Sequence, residues 1–408
     1  MNISGSSGRA DSRNALLAGF FGWTLDAFDY FILVFVLGAV AKDFHKSIPD
    51  IALTLTASLA MRPVGAFLFG LMADRYGRRL PLMLDVLFYS VVEVCSGLAP
   101  NYKTFLFLRL LYGVGMGGEW GVGASLAMES VPPKWRGVLS GVLQEGYALG
   151  YLLAAVAYWT LFPHWGWRPL FFLGGLPALL TLFIRAKVKE SDAWKAIASS
   201  RPAWGAYFLA VIENWKRFAY LVLLMAMMNF ISHGTQDLYP TYLQQQHNFT
   251  PRLTSIITVV SMIGAIAGGI LAGLYSDRHG RRRGMATAVI AAFVLIPLWV
   301  FARPVAWIVV GAFLMQFMVQ GAWGIIPAHI NELSPDTLRG FFPGFAYQLG
   351  VLVASSAPYL EAVMSRHLTY AQSLGMFAAI VLFFGAIVIA LGPEAHRVAF
   401  GTIQDRVA

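Results

Sequence analysis

The sequence predicts an all-α membrane protein: twelve transmembrane helices in two pseudo-symmetric six-helix bundles. Three observations carry this reading: too little charge for water, twelve apolar runs, and an internal repeat. Of 408 residues, 58% are hydrophobic and only 12% charged, about half the charged share of a soluble domain. Such a chain needs lipid as its solvent, and a bilayer core about 30 Å thick takes about 20 apolar residues per helix. Apolar runs fall near residues 15–41, 51–73, 80–99, 104–128, 138–161 and 169–185. After a polar stretch they resume near 218–243, 253–275, 285–302, 305–330, 341–363 and 371–392. The connectors are short and leave no room for a soluble catalytic domain. The first run is too long for the apolar part of a signal peptide and carries two acids, so it reads as the first helix. The chain divides into an N-terminal bundle (1–185), a central loop (186–216) and a C-terminal bundle (217–408).

The division into halves rests on the repeat. Gly70-Leu71-Met72-Ala73-Asp74-Arg75-Tyr76-Gly77-Arg78-Arg79 recurs 203 positions later as Gly273-Leu274-Tyr275-Ser276-Asp277-Arg278-His279-Gly280-Arg281-Arg282. The same offset maps Gly118, Trp120 and Gly121 onto Gly321, Trp323 and Gly324. It also maps Glu129 onto Glu332, and Arg136-Gly137 onto Arg339-Gly340. One register held over so long a stretch marks duplication of a structural unit.

The net charge of +9 does not point to nucleic acid, because the basic residues are scattered through short loops rather than gathered in a patch. Loops and tails on one side hold 21 of the 30 Lys and Arg residues, against seven in the opposite connections. That bias places both termini in the cytoplasm of a multi-pass plasma-membrane protein, the inner membrane in a bacterial cell. The lone cysteine, Cys95, excludes an intramolecular disulfide and a multi-cysteine metal site. No metal or organic cofactor is expected.

The repeated loop has a physical logic. Gly70 and Gly77 permit a tight turn and close helix approach. Asp74 can accept from the Arg cluster and from a neighbouring helix N-terminus, making a charged latch. With its second copy, and with Glu129…Arg136-Gly137 repeated as Glu332…Arg339-Gly340, this motif resembles the hallmark of the major facilitator superfamily. The resemblance covers essentially the whole chain. It implies two halves rocking around a midplane site, with a cytoplasmic gate built from Asp74, Arg75, Arg78, Glu129 and Arg136 and from Asp277, Arg278, Arg281, Glu332 and Arg339.

An ionisable residue inside a span costs roughly 2.5–3.5 kcal/mol on insertion scales, so each needs a reason. Asp26 and Asp29 share one face of the first helix, where low dielectric resists ionising both, and suit a proton carrier. The bland alternative is a pair of acids bonded to neighbouring hydroxyls. Arg62, midway along the second helix, requires an anion: a substrate carboxylate or an internal acid such as Asp29. Arg109 lies nearer the outer end of the fourth helix and could snorkel. Glu119, deeper in the same helix within a glycine-rich run, could couple to protons. In the seventh helix Asn229, Ser232, His233, Gln236 and Asp237 fall in a stripe about 140° wide. Such a stripe must face a wet cavity or another polar helix. Pro240 weakens the helix just beyond it.

The stripe N-x-x-S-H-x-[ST]-Q-D-x-x-x-T is filled by Asn229, Ser232, His233, Thr235, Gln236, Asp237 and Thr241. It resembles the signature of the lactate and pyruvate permeases within the sialate:proton symporter family. Leu25-Asp26-Ala27-Phe28-Asp29, Gly118-Glu119-Trp120-Gly121 and Trp165-Gly166-Trp167-Arg168 resemble the wider family. The resemblance implies substrate handling by Arg62 and Gln348. Those permeases carry an Asn three residues after the Gln, where this chain has Val351.

The expectation is therefore a proton-coupled symporter of a small monocarboxylate, acting as a monomer with the proton as coupling ion. Arg62, Asn229, His233, Gln236 and Gln348 would bind substrate, and Asp26, Asp29, Asp237 and Glu119 would couple protons. The same fold could instead carry sialic acid, another organic acid or a sugar. A membrane metabolite sensor would want a larger output domain. A membrane-embedded enzyme would want more than His233 and Asp237 at i, i+4.

Overall fold

The computed structural model describes residues 7–46, 48–198, 204–365 and 367–400. The N-terminal half holds α1 (Ser7–Asp43), α2 (Ile48–Tyr76), α3 (Arg79–Gly97), α4 (Tyr102–Ser130), α5 (Arg136–Gln144), α6 (Gly146–Trp165), α7 (Arg168–Leu173) and α8 (Pro177–Lys187). Two short helices, α9 (Asp192–Ala198) and α10 (Trp204–Glu213), lie between the halves. The C-terminal half holds α11 (Trp215–Gln236), α12 (Tyr239–Gln245), α13 (Pro251–His279), α14 (Arg281–Phe301), α15 (Val305–Leu333), α16 (Phe342–Ala354), α17 (Ala357–Met364) and α18 (Tyr370–Leu391).

Among the described residues nine helices are long and apolar enough to cross a membrane. The remaining expected passes are disguised for physical reasons. Helix α4 is glycine-rich and carries Arg109 and Glu119. The pass α5–α6 is interrupted at Glu145, and the pass α16–α17 at Ser355 and Ser356. Within the segment read as a polar loop, the described residues form α9, α10 and the start of α11, and α10 exposes Phe208, Leu209 and Ile212.

Helix ends follow local chemistry. The Asn101 side chain accepts from the Thr104 N–H at the start of α4. Thr250 caps α13 through the Leu253 N–H, and Thr369 with Gln372 forms a capping box on α18. The turns into α3 and α14 pass through Gly77 (φ 99°) and Gly280 (φ 98°), a region that favours glycine.

The repeat governs packing as well as sequence. A Cβ on Gly65 would stand 1.7 Å from the Val114 carbonyl oxygen, so α2 and α4 touch backbone to backbone. The counterpart 203 residues on behaves alike: a Cβ on Gly268 would meet the Phe317 oxygen at 1.9 Å, joining α13 to α15. Between the halves, Gly121 of α4 abuts Gly344 of α16, and Gly141 of α5 abuts Gly269 of α13.

Candidate functional site: a central cavity above a closed latch

On the face that carries both described chain ends, the repeated loops cross-link the halves. Asp74 accepts from the N–H groups of Gly340 (2.6 Å) and Phe341 (3.1 Å), which lead into α16. Asp277 accepts from Gly137 (2.8 Å) and Val138 (3.0 Å) in the first turn of α5. Each aspartate thus sits in the positive end of a helix from the opposite half. Arg78 donates to Asp74 at 2.7 Å and to Glu129 at 2.8 Å. Arg281 donates to Asp277 at 2.7 Å and to Glu332 at 2.9 Å. Arg136 crosses between halves to Glu332 at 2.9 Å, whereas Arg339 stands 3.8 Å from Glu129 and pairs with Asp336. Arg278 is exposed outside this network, and Arg75 is half-buried beside it.

Two acids missed in the sequence complete the latch. Glu190 accepts from the N–H groups of Arg78 (2.9 Å) and Arg79 (3.1 Å), capping α3. Glu394 does the same for Arg281 (2.9 Å) and Arg282 (3.1 Å) on α14. Their near-203 spacing was the available signal.

Above the latch, aromatic rings close the seam. Trp120 and Trp23 reach Tyr347 across it at 4.5 and 6.4 Å, and Trp323 lies 5.9 Å from Tyr347 on the far side. Over this floor opens a cavity of about 310 Å³. All five residues of the predicted stripe line it: Asn229, Ser232, His233, Gln236 and Asp237. Arg62 faces them from α2, its guanidinium 5.9 Å from the Tyr347 ring centre. Its Nε and Nη2 are enclosed without an acceptor.

The stripe is braced from behind. His233 Nδ1 lies 3.0 Å from Asp237 Oδ2. The Gln236 amide donates to Gln316 at 2.8 Å, and Gln316 donates to the Thr235 carbonyl at 3.1 Å. Gln316 on α15 was not foreseen. The side chain of Thr241 lies outside the described residues.

Other expected residues fall elsewhere. Gln348 is fully buried, off the cavity, with neither amide atom partnered. Helix α16 turns Tyr347 and Val351 to the cavity instead, because residues four apart share a face. Val351, the position that departs from the lactate permeases, is thus on the wall. Asp26 and Asp29 also lie off the cavity, wholly buried, with all four carboxylate oxygens unpartnered. The bland expectation of bonding to hydroxyls fails for both. Nor does Asp29 pair with Arg62; it packs beside Glu93, both touching Gly174 at the α7–α8 break. Glu119 is enclosed against Gly22 of α1.

Arg109 does not snorkel. It is buried, bonded to Glu93 and, at 2.7 Å, to the Ser96 hydroxyl, with its guanidinium 4.3 Å from the Tyr112 ring centre. Asp85 and Glu93 on α3, and Glu361 on α17, are further buried acids that sequence reasoning passed over. The insertion cost applied to Arg62 would have flagged each.

Two pseudo-symmetric bundles, latched at one face around a polar cavity, define a multi-pass membrane transporter. Residues 19–250 and 222–403 match the Major Facilitator Superfamily, and the chain belongs to it. It is 31% identical over 379 residues to "Carboxylic acid transporter protein homolog" of Saccharomyces cerevisiae, covering 86% of this chain and 61% of that protein. It therefore spans less than two thirds of that relative. It is 30% identical to "Probable 4-methylmuconolactone transporter" of Cupriavidus pinatubonensis, covering 98% and 94% of the two chains. The sialic acid transporter NanX of Escherichia coli is 29% identical, with 93% of each chain covered. Among solved structures, the proton:xylose symporter XylE superposes with a TM-score of 0.74 at 16% identity, covering 97% of this chain and 98% of XylE.

Proposed function

We propose that this transporter carries a small monocarboxylate, with lactate or pyruvate as the leading cargo, together with a proton by alternating access. The observation that carries the reading is Arg62: a guanidinium with two enclosed, acceptor-free nitrogens at the wall of a cavity that also presents Asn229, Gln236 and the His233–Asp237 pair among apolar side chains. A carboxylate suits that fork, and charge-assisted bonds of this kind are roughly twice as strong as neutral ones. Asn229, His233 and Gln236 would orient the rest of the anion.

The latched face is read as cytoplasmic, on the Lys and Arg bias. Substrate and proton would enter from the opposite face, and closure over the cavity would accompany release of the Asp74 and Asp277 latches. One anion moving with one proton is electroneutral, so a pH gradient alone would drive uptake. No further cofactor is required. The names of the yeast, Cupriavidus and Escherichia coli relatives support an organic acid as cargo.

A second reading, a larger organic acid such as sialic acid, is favoured by the cavity's size of about 310 Å³. The test is accumulation of labelled lactate in proteoliposomes when the outside is acidified, with unlabelled sialic acid as competitor. Arg62→Ala is expected to abolish accumulation while the protein still melts cooperatively. Full activity in that variant rejects the assignment.

A further inference from the structure

Glu361 lies in α17, beyond the Ser355–Ser356 interruption that separates it from α16. It is fully buried, and both carboxylate oxygens are without a hydrogen-bond partner. Its Oε1 is 3.4 Å from where a Cβ on Gly234 of α11 would stand, so its carboxyl rests directly on the α11 backbone. Gly234 follows His233 and stands three residues before Asp237, which puts Asp237 on the same face of the helix. Glu361 and Asp237 lie within electrostatic reach of one another.

The titratable groups that α11 presents here are His233 and Asp237. Helix α18 presents Ser373, whose hydroxyl donates to the Glu361 carbonyl, and Phe377, which shares the contact with Gly234. Neither is titratable, and no described cation faces the carboxyl. An ionised acid so enclosed would bear the full desolvation cost with nothing to offset it. Asp237 differs: its side chain is 33% exposed to the cavity and bonded to His233.

We propose that Glu361 is a proton-holding group of the C-terminal half, loaded through Asp237 from the cavity. This rests on the symport reading above and extends it to a site outside the substrate cavity. The step is a plain proton transfer. The O–H bond on the Asp237 carboxyl breaks, one forms on Glu361, and Asp237 is left as a carboxylate against His233. Reversal returns the proton. Asp237 stands at the interruption between α11 and α12, and Glu361 sits within α17, the helix that the Ser355–Ser356 break separates from α16. Bending at these breaks is a mechanical way to join or part the two acids as the open face closes.

The test compares wild type with Glu361→Gln, which keeps shape and removes the titratable proton. Wild type is expected to show the infrared carbonyl stretch of an enclosed protonated carboxyl that E361Q lacks. This signature needs no substrate, so an unchanged spectrum overturns the proposal whatever the cargo proves to be. In proteoliposomes with labelled lactate, E361Q is expected to lose at least about tenfold in pH-driven accumulation, while lactate still stabilises the purified protein thermally. Glu361→Asp is expected to restore part of the accumulation. Wild-type accumulation in E361Q, or loss of binding and melting cooperativity in both variants, overturns the proposal. A wild type that shows the band yet never accumulates lactate refutes the cargo reading instead.

Discussion

The latch and the centre of the N-terminal bundle hold the same residue types at the same burial, yet they are bonded in opposite ways. In the latch, Asp74, Asp277, Glu129 and Glu332 each meet at least one guanidinium, and the aspartates add two backbone N–H donors. At the centre, Asp26, Asp29, Asp85 and Glu119 have no hydrogen-bond partner on any carboxylate oxygen. The latch acids are fixed by saturation, which suits structural ties. The central acids are left short of partners, which suits groups that gain and lose protons.

The widest gap between the two regions is expected for Glu332→Ala. It takes from the buried Arg136 its Glu332 partner and leaves Arg281 with Asp277 alone, at a cost of about 3–5 kcal/mol. Thermal unfolding of the purified protein reads this as a large fall in Tm. Within the latch, the two copies are unequal. Arg136 reaches Glu332 at 2.9 Å and Arg339 reaches Glu129 only at 3.8 Å. Arg136→Ala is therefore expected to loosen the latch about 1 kcal/mol more than Arg339→Ala, a several-fold difference in opening.

Thiol labelling of Ser140→Cys, in a Cys95→Ser background, measures that opening, because Ser140 lies in the seam and accepts from the Ala328 N–H at 3.0 Å. Equal labelling in the two variants removes the asymmetry. The smallest effect is expected at the centre. Glu119→Gln keeps the shape of a group that has no partner, so melting should shift by less than about 1 kcal/mol. A fall as large as that of Glu332→Ala erases the contrast between the regions.

How much of this could be read beforehand follows the same divide. The latch was legible because two copies in one register vouch for each other: Asp74 predicts Asp277, and Glu129 predicts Glu332. The α11 stripe was legible because five polar residues on an otherwise apolar helix leave one direction to face. Single acids in apolar runs lacked both supports. Asp26 and Asp29 could be placed on one face of α1, but which neighbour that face meets is decided by α3, α4 and the α7–α8 break. Gln348 shows the limit most plainly, since Tyr347 and Val351 took the wall and one residue's rotation carried the amide into the packing. Glu190 and Glu394 were obscured because each stands beyond its bundle's last membrane pass, the first in the central loop and the second in the tail of the C-terminal bundle.

The paired amide cradles have a consequence for tightness of operation. Each half grips the first helical turn of the other, so freeing one grip leaves the molecule pinned by its twin. If the latch is the gate, half-released forms, through which ions could slip without cargo, would be kept scarce, and the seam would part only when both hands let go together.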